Sequence, residues 1–248
     1  YRMYYWATGA DGYHHICLAE TSIDNPNEWK ACGSVLDRQA STVYNCQGPG
    51  FPVVLPRDNG PWLMYFCGWG ALRSDGKLPN TTGIAFSDDA GLSFYYNHKA
   101  PILGTDQPYD QEGTGSVFVI PEEDCLKMYY TSIGHYYEKP NGVETGHGDV
   151  IPKIGIGYAV SDDGVSWEKP LNDLMVSPRG FDTEPYEYIT SKPFLIREDS
   201  GFRMWLNTFG TAYRVRSLFG YDGSNWEWQD SGFDGEFGVG VREVRAVG

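Results

Sequence analysis

Short runs in which apolar and polar residues alternate recur from one end of the chain to the other, each bounded by Gly, Pro, Asn or Asp. A period of two is what a strand with one buried face requires, and no segment sustains the 3.6-residue period of an amphipathic helix. The pattern therefore predicts an all-β chain with little helix. Four of the runs share one wording: "YRMYYWA" from Tyr1, "WLMYFCGW" from Trp62, "LKMYYTS" from Leu126 and "FRMWLNT" from Phe202. Their methionines, Met3, Met64, Met128 and Met204, lie 61, 64 and 76 residues apart, which marks an internal repeat with loop insertions.

Each run is followed by a second strand with small residues, such as Gly155, Gly157 and Ala159. A turn comes next: "SDDAG" at Ser87 to Gly91 or "SDDG" at Ser161 to Gly164, after which Phe94 or Trp167 returns to the core. Three units are preceded by one more apolar strand, "FPVVLP" at Phe51, "SVFVIP" at Ser116 and "KPFLIR" at Lys192. Each unit is thus predicted to be a four-stranded antiparallel sheet, and such sheets set radially make a β-propeller. The first unit lacks the leading strand, whereas "GVGVREVRAVG" (Gly238 to Gly248) supplies a strand with no unit after it. The expectation is one domain over residues 1–248, its ring closed by the C-terminal strand lying innermost in the sheet begun by Tyr1, so that no edge is left open. In a fragment or trimmed chain, that strand would instead begin a fifth blade.

Composition narrows the partners. With 33 acidic against 19 basic side chains, a formal charge of −14 disfavours phosphate backbones and anionic membranes, so neither nucleic acid nor membrane is an expected partner and neutral ligands fit better. Five cysteines, an odd number without CxxC spacing, argue against a disulfide framework and a zinc cluster, and tilt the expectation slightly towards the cytoplasm, with secretion left open. No phosphate loop, GxSxG elbow or nucleotide fingerprint occurs, so no cofactor and no metal is expected.

The "M-Y-Y" strands followed by "G-x-A-x-S-x-D-G-x-x-W" resemble the five-bladed β-propeller glycosidases, which include the invertase and levansucrase group and the arabinanase and β-xylosidase group. The resemblance covers nearly the whole chain and is nearest to uncharacterised propellers of this type. Four repeat units are visible here; the resemblance implies five. It also implies a funnel-shaped axial pocket in which acidic residues from the innermost strands cleave or hold an oligosaccharide or polysaccharide.

Set side by side on Pro52, Val117, Pro193 and Val241, the segments leading into the innermost strands read "NCQGPGFP", "DQEGTGSV", "EYITSKP" and "DGEFGVGV". Glu236, in "GFDGEF" with Asp234 beside it, resembles the acid that precedes the last innermost strand of the related propellers. Glu187 stands six residues before Pro193, and Asp110, with Glu112 close by, leads into the strand at Ser116. Glycoside hydrolysis needs one protonated and one ionised carboxyl group across the scissile bond. Glu236 is the expected acid, with Glu187 or Asp110 as its ionised partner. Five further residues are expected near the ligand: Lys192, as a contact or as neutraliser of Glu187; Trp69, which either stacks on a sugar or packs in the core; His135, which begins a polar insertion running to about Asp149; Glu112; and Asp234. The sequence departs from the related enzymes at the position immediately before the innermost Pro, where they carry Asp and this chain has Phe51, Ser116, Lys192 and Gly240. Asn45, Cys46 and Gln47 likewise leave the second lead-in without a carboxylate. Two readings follow: a glycoside hydrolase acting on a glycan, or a propeller that binds carbohydrate or protein without catalysis.

Overall fold

The computed structural model describes residues 1–97, 100–183 and 186–229, with the backbone of a short strand at Glu236–Phe237. Asp234, the side chain of Glu236 and the proposed closing strand from Gly238 to Gly248 lie outside the described residues. Among the described residues there is no helix. The strands are β1 (Arg2–Thr8), β2 (His14–Glu20), β3 (Lys30–Leu36), β4 (Gly48–Leu55), β5 (Trp62–Trp69), β6 (Asn80–Ser87), β7 (Gly113–Pro121), β8 (Leu126–Glu138), β9 (Val150–Ser161), β10 (Ile189–Glu198), β11 (Gly201–Phe209), β12 (Tyr213–Gly220), β13 (Glu227–Gln229) and β14 (Glu236–Phe237).

The chain divides into two compact units, the first comprising Tyr1–Gly104, Thr114–Val119 and Asp162–Trp167, the second Thr105–Gly113, Ile120–Ser161 and Glu168–Gly248. In the first, β1, β2 and β3 form one antiparallel sheet and β4, β5 and β6 another. Ile16, Leu18, Met64, Phe66 and Phe94 pack between them as one apolar core. In the second, β8 pairs β9 and β10 pairs β11, β11 pairs β12, and β12 pairs β13, all antiparallel; β9 and β10 meet in parallel at Ile154 and Ile189.

The repeated residues have repeated jobs. Met3, Met64 and Met128 each lie opposite an alanine on the next strand, Ala19, Ala85 and Ala159, and the last two methionines are fully buried. The unbranched thioether fills the space the small partner leaves. Gly83 and Gly157 sit opposite Phe66 and Tyr130, so close that an added Cβ would meet the ring at 2.3 Å in both repeats. The tyrosine after each methionine carries a longer-range function. Tyr4 donates its hydroxyl to the carbonyl of Gly91 at 2.9 Å, Tyr65 to Gly164 at 2.9 Å and Tyr129 to Gly223 at 2.7 Å. In each case the tyrosine of one repeat seals the Asp–Gly turn of the following repeat. Those turns are also braced internally: Asp163 accepts the backbone N–H groups of Val165 and Ser166, and Asp222 those of Ser224 and Asn225. At Asp89, hydrogen bonds from Ser93 and Ser87 hold the carboxyl down to about 2.

The expected outer strand of each unit is uneven. β3 and β13 are strands, but the segments after the "SDDAG" and "SDDG" turns pair through single bridges, Phe86 to Tyr95 and Val160 to Glu168. The turn residues use their polar groups locally, which leaves little chain to continue a ladder.

Candidate functional site

The lead-ins to the innermost strands are built alike. Gly48 and Gly113, both with positive φ, close turns by donating to the carbonyls of Asn45 and Asp110. The ladder then starts with matching backbone hydrogen bonds, from Gln47 to Trp69, Glu112 to Ile133 and Tyr188 to Phe209. This register sets Glu187 level with Cys46 and Gln111, one residue away from the level of Asn45 and Asp110. In β4 and β10 the ladder then bulges, between Gly50 and Val53 and between Ser191 and Phe194. Phe51 and Lys192, the residues immediately before the prolines, have φ of 50° and 55°. A non-glycine residue in the left-handed region costs on the order of 1–3 kcal/mol, and a bulge re-aims its side chain. Phe51 is buried beside Trp69; Lys192 is half-buried, with its N–H donated to the Thr131 hydroxyl at 2.9 Å.

Glu187 is fully buried at the start of β10. Its Oε1 accepts the Nε–H of Arg216 at 2.8 Å, and its Oε2 lies 3.5 Å from Nη1 of Arg179. A backbone bridge to Gly180 in both directions fixes the peptide. Arg214 and Arg216 alternate with Val215 on β12, and both are nearly buried. In register, Thr190 of β10 faces Thr208 of β11, Thr208 faces Arg214 of β12, and Arg214 faces Glu236 of β14.

The residue after Glu187, Tyr188, is fully buried in an aromatic wall with Phe209 and Phe181. Phe181 stacks on Tyr188 at 5.6 Å and 12°, and Phe209 meets Tyr188 edge-on at 5.8 Å. The insertion between β8 and β9 docks against this wall. His147 places Nδ1 2.8 Å from the Tyr188 hydroxyl, Gly146 touches the Phe209 ring, and Tyr186 donates its hydroxyl to the carbonyl of Glu144. Burial pushes the His147 imidazole below its ordinary pKa, because the charged form is the one that loses solvation.

Asp110 is also fully buried, in a network of its own. Oδ1 accepts the N–H of Gln107 at 3.0 Å, while Oδ2 accepts Nζ of Lys169 at 2.6 Å and the Tyr130 hydroxyl at 3.2 Å. Lys169, itself 7% exposed, reaches Asp106 at 2.7 Å as well. Both expected partner acids therefore carry cations, Glu187 from β12 and the segment before Phe181, Asp110 from the segment after β9. Glu112 is half-buried beside β7.

Trp69 lies in a packed aromatic group, its ring 5.2 Å from Trp6, 4.6 Å from His14 and 5.5 Å from Phe51. His135 is exposed and sits inside β8, which continues to Glu138, so the insertion proper begins later than the sequence suggests. Among the described residues no group of His, Cys, Asp or Glu is arranged to hold a metal. Arg179 and Arg216, which meet Glu187, and Arg214 and Tyr188 close to them in the chain were not singled out by the sequence. The signal was present for two of them: "YRVRS" puts arginine at alternate positions where the second and third repeats have Thr81 and Gly83, and Gly155 and Gly157.

No protein-family model matches the chain. It is 30% identical over 246 residues to the uncharacterised protein Rv1502 of Mycobacterium tuberculosis strain H37Rv, covering 94% of this chain and 74% of that protein. Among solved structures it is similar to a BT0996 RGII complex, with a TM-score of 0.69, 19% identity, and coverage of 93% of this chain and 70% of that one. It is also similar to a thermostable family-43 glycoside hydrolase, with a TM-score of 0.65, 15% identity, and coverage of 96% and 73%. These likenesses are of fold, that of the propeller-type glycoside hydrolases.

Proposed function

The chain belongs to the family of the uncharacterised mycobacterial protein Rv1502, and we propose that it is a glycoside hydrolase-like protein that binds a glycan, and hydrolyses it, around Glu187. The observation that carries this reading is a fully buried glutamate at the lead-in to β10, clamped by Arg216 and Arg179. Burying an ion pair is costly unless geometry and hydrogen bonds offset the desolvation, so such a cluster away from a site has little to recommend it. In this reading Glu187 is the ionised member of the pair and Glu236, opposite Arg214 in register, the proton donor. Asp234, Glu112 and Lys192 are ligand contacts.

The finer architecture belongs to the same proposal: one domain, a ring of four-stranded blades, with the C-terminal strand completing the sheet of β1, β2 and β3. The Tyr-to-next-turn hydrogen bonds support a serial, radial repeat.

One observation favours the alternative of glycan or protein binding without catalysis. Asp110 is held by Lys169, and Phe51 and Lys192 occupy the strained positions where the related enzymes have Asp. Incubation with nitrophenyl glycosides and with plant and microbial oligosaccharides separates the two readings. Turnover that Glu236→Gln and Glu187→Gln each abolish, in folded protein, supports the hydrolase; retention of glycans on an array with no product supports the binding module.

A further inference from the structure

We propose that the row formed by Thr190, Thr208 and Arg214 is a subsite for the carboxylate of an acidic sugar residue, a hexuronate, within the glycan; this rests on the glycan reading above. The three residues lie directly opposite one another on adjacent strands, and directly opposed residues in antiparallel strands share a face. Arg216, two residues along β12 from Arg214, lies on the same face and is the residue that grips Glu187. The row is thus contiguous with the proposed reacting centre.

Two independent features point to an anion in this row. The hydroxyls of Thr190 and Thr208 are fully buried and have no hydrogen-bond partner among the described residues. Buried hydroxyls are normally satisfied, and leaving one unsatisfied costs about 1–3 kcal/mol, so a pair of them in register marks a place where a ligand acceptor completes the bonding. The third member of the row is arginine, not lysine. Its planar fork matches the two oxygens of a carboxylate, and hydrogen bonds to a charged acceptor are roughly twice as strong as neutral ones. A neutral hydroxymethyl group in the same place would offer that fork neither the charge nor the paired oxygens it fits. The formal charge of −14 makes the point sharper: attraction of an acidic glycan has to come from a local group, because the chain as a whole repels it.

The test uses the full chain and ligand-observed NMR or calorimetry with D-glucuronate, D-galacturonate and short oligogalacturonides. Each is compared with its methyl ester, with the matching neutral hexose and with glucose 6-phosphate. The expected result is binding of a uronate that weakens by about tenfold or more on esterification, the scale of one lost charge-assisted bond. Arg214→Gln should lose the discrimination between acid and ester, Thr208→Val should weaken binding of the acid, and Lys30→Gln, a change on exposed β3, should retain both. Should Arg214→Gln fail to fold, Arg214→Lys keeps the charge and removes the fork, and loss of discrimination there carries the same meaning. Equal binding of acid and ester, preference for the phosphate, or binding of neutral glycans alone would overturn the subsite while leaving the glycan reading standing. Absence of binding by every carbohydrate tested would overturn both.

Discussion

Arg216 donates its Nε–H to Glu187 at 2.8 Å, and the glutamate that receives it is fully buried. The two residues come from distant parts of the second unit, so the pair is a product of the fold and not of local sequence. Removing the arginine strands a buried carboxylate. Arg216→Met is therefore expected to lower stability by about 3–5 kcal/mol, the range for a broken buried pair. Urea denaturation of the variant beside the parent chain checks this; a loss under about 1 kcal/mol would mean that Glu187 is reached by water.

Asp110 and Lys169 allow the same argument with an internal control. Lys169→Met leaves Asp110 buried without its cation, whereas Asp106→Asn removes only the exposed end of the same network. The first is expected to cost about 3–5 kcal/mol and the second about 0–1 kcal/mol. Equal effects would show that Lys169 serves the exposed aspartate.

His147 gives the site a pH dependence of known sign. Burial lowers its pKa in the folded protein below the ordinary 6.5, so between the two values the unfolded chain binds the extra proton. The stability that His147 contributes is present in full above about pH 6.5 and is lost as pH falls from there through the folded pKa. Thermal melts from pH 8 to pH 5 should show the parent chain losing stability over this window more steeply than His147→Phe. Parallel profiles for the two proteins would remove the assignment. The pH window also tests docking of the insertion, because the imidazole packs against Tyr188 and Phe209.

The repeat itself predicts two substitutions. Gly157→Ala drives a Cβ to 2.3 Å from the Tyr130 ring, an overpacking expected to cost about 1–3 kcal/mol. Tyr65→Phe removes the hydroxyl that seals the Gly164 turn and should cost about 0.5–1.5 kcal/mol. Calorimetric melting of each variant provides the check, and an unchanged Tm for Gly157→Ala would contradict the packing described for both repeats.

The strands were legible because alternation is a local property: β4, β5, β6, β8, β10 and β11 fall where the pattern of apolar residues puts them. The methionine, tyrosine and Asp–Gly positions were legible as a repeat, although the reason for the tyrosine, a hydrogen bond to the turn of the following repeat, is visible only in three dimensions. The candidate site was legible in part. Glu187 and Asp110 stand out because acids precede apolar strands, but the cations that hydrogen-bond to them, Arg216 and Lys169, lie 29 and 59 positions further along the chain, and no local pattern connects them. Alignment on the prolines and the backbone hydrogen bonds of the lead-ins agree on the register, because β4 and β10 bulge at the same place and both set Glu187 level with Cys46 and Gln111. Net charge hides local charge: a formal −14 gives no sign of the two arginines, Arg179 and Arg216, that meet Glu187.

The most direct test of the proposed site is an activity and binding measurement on one panel of neutral and uronate-containing oligosaccharides, with the parent chain and Glu187→Gln assayed together after both are shown to be folded. The expected result is cleavage of an oligosaccharide by the parent chain, with turnover lost in Glu187→Gln while the glycan is still bound. Cleavage at the same rate by both proteins, or neither binding nor cleavage of any glycan, would contradict it.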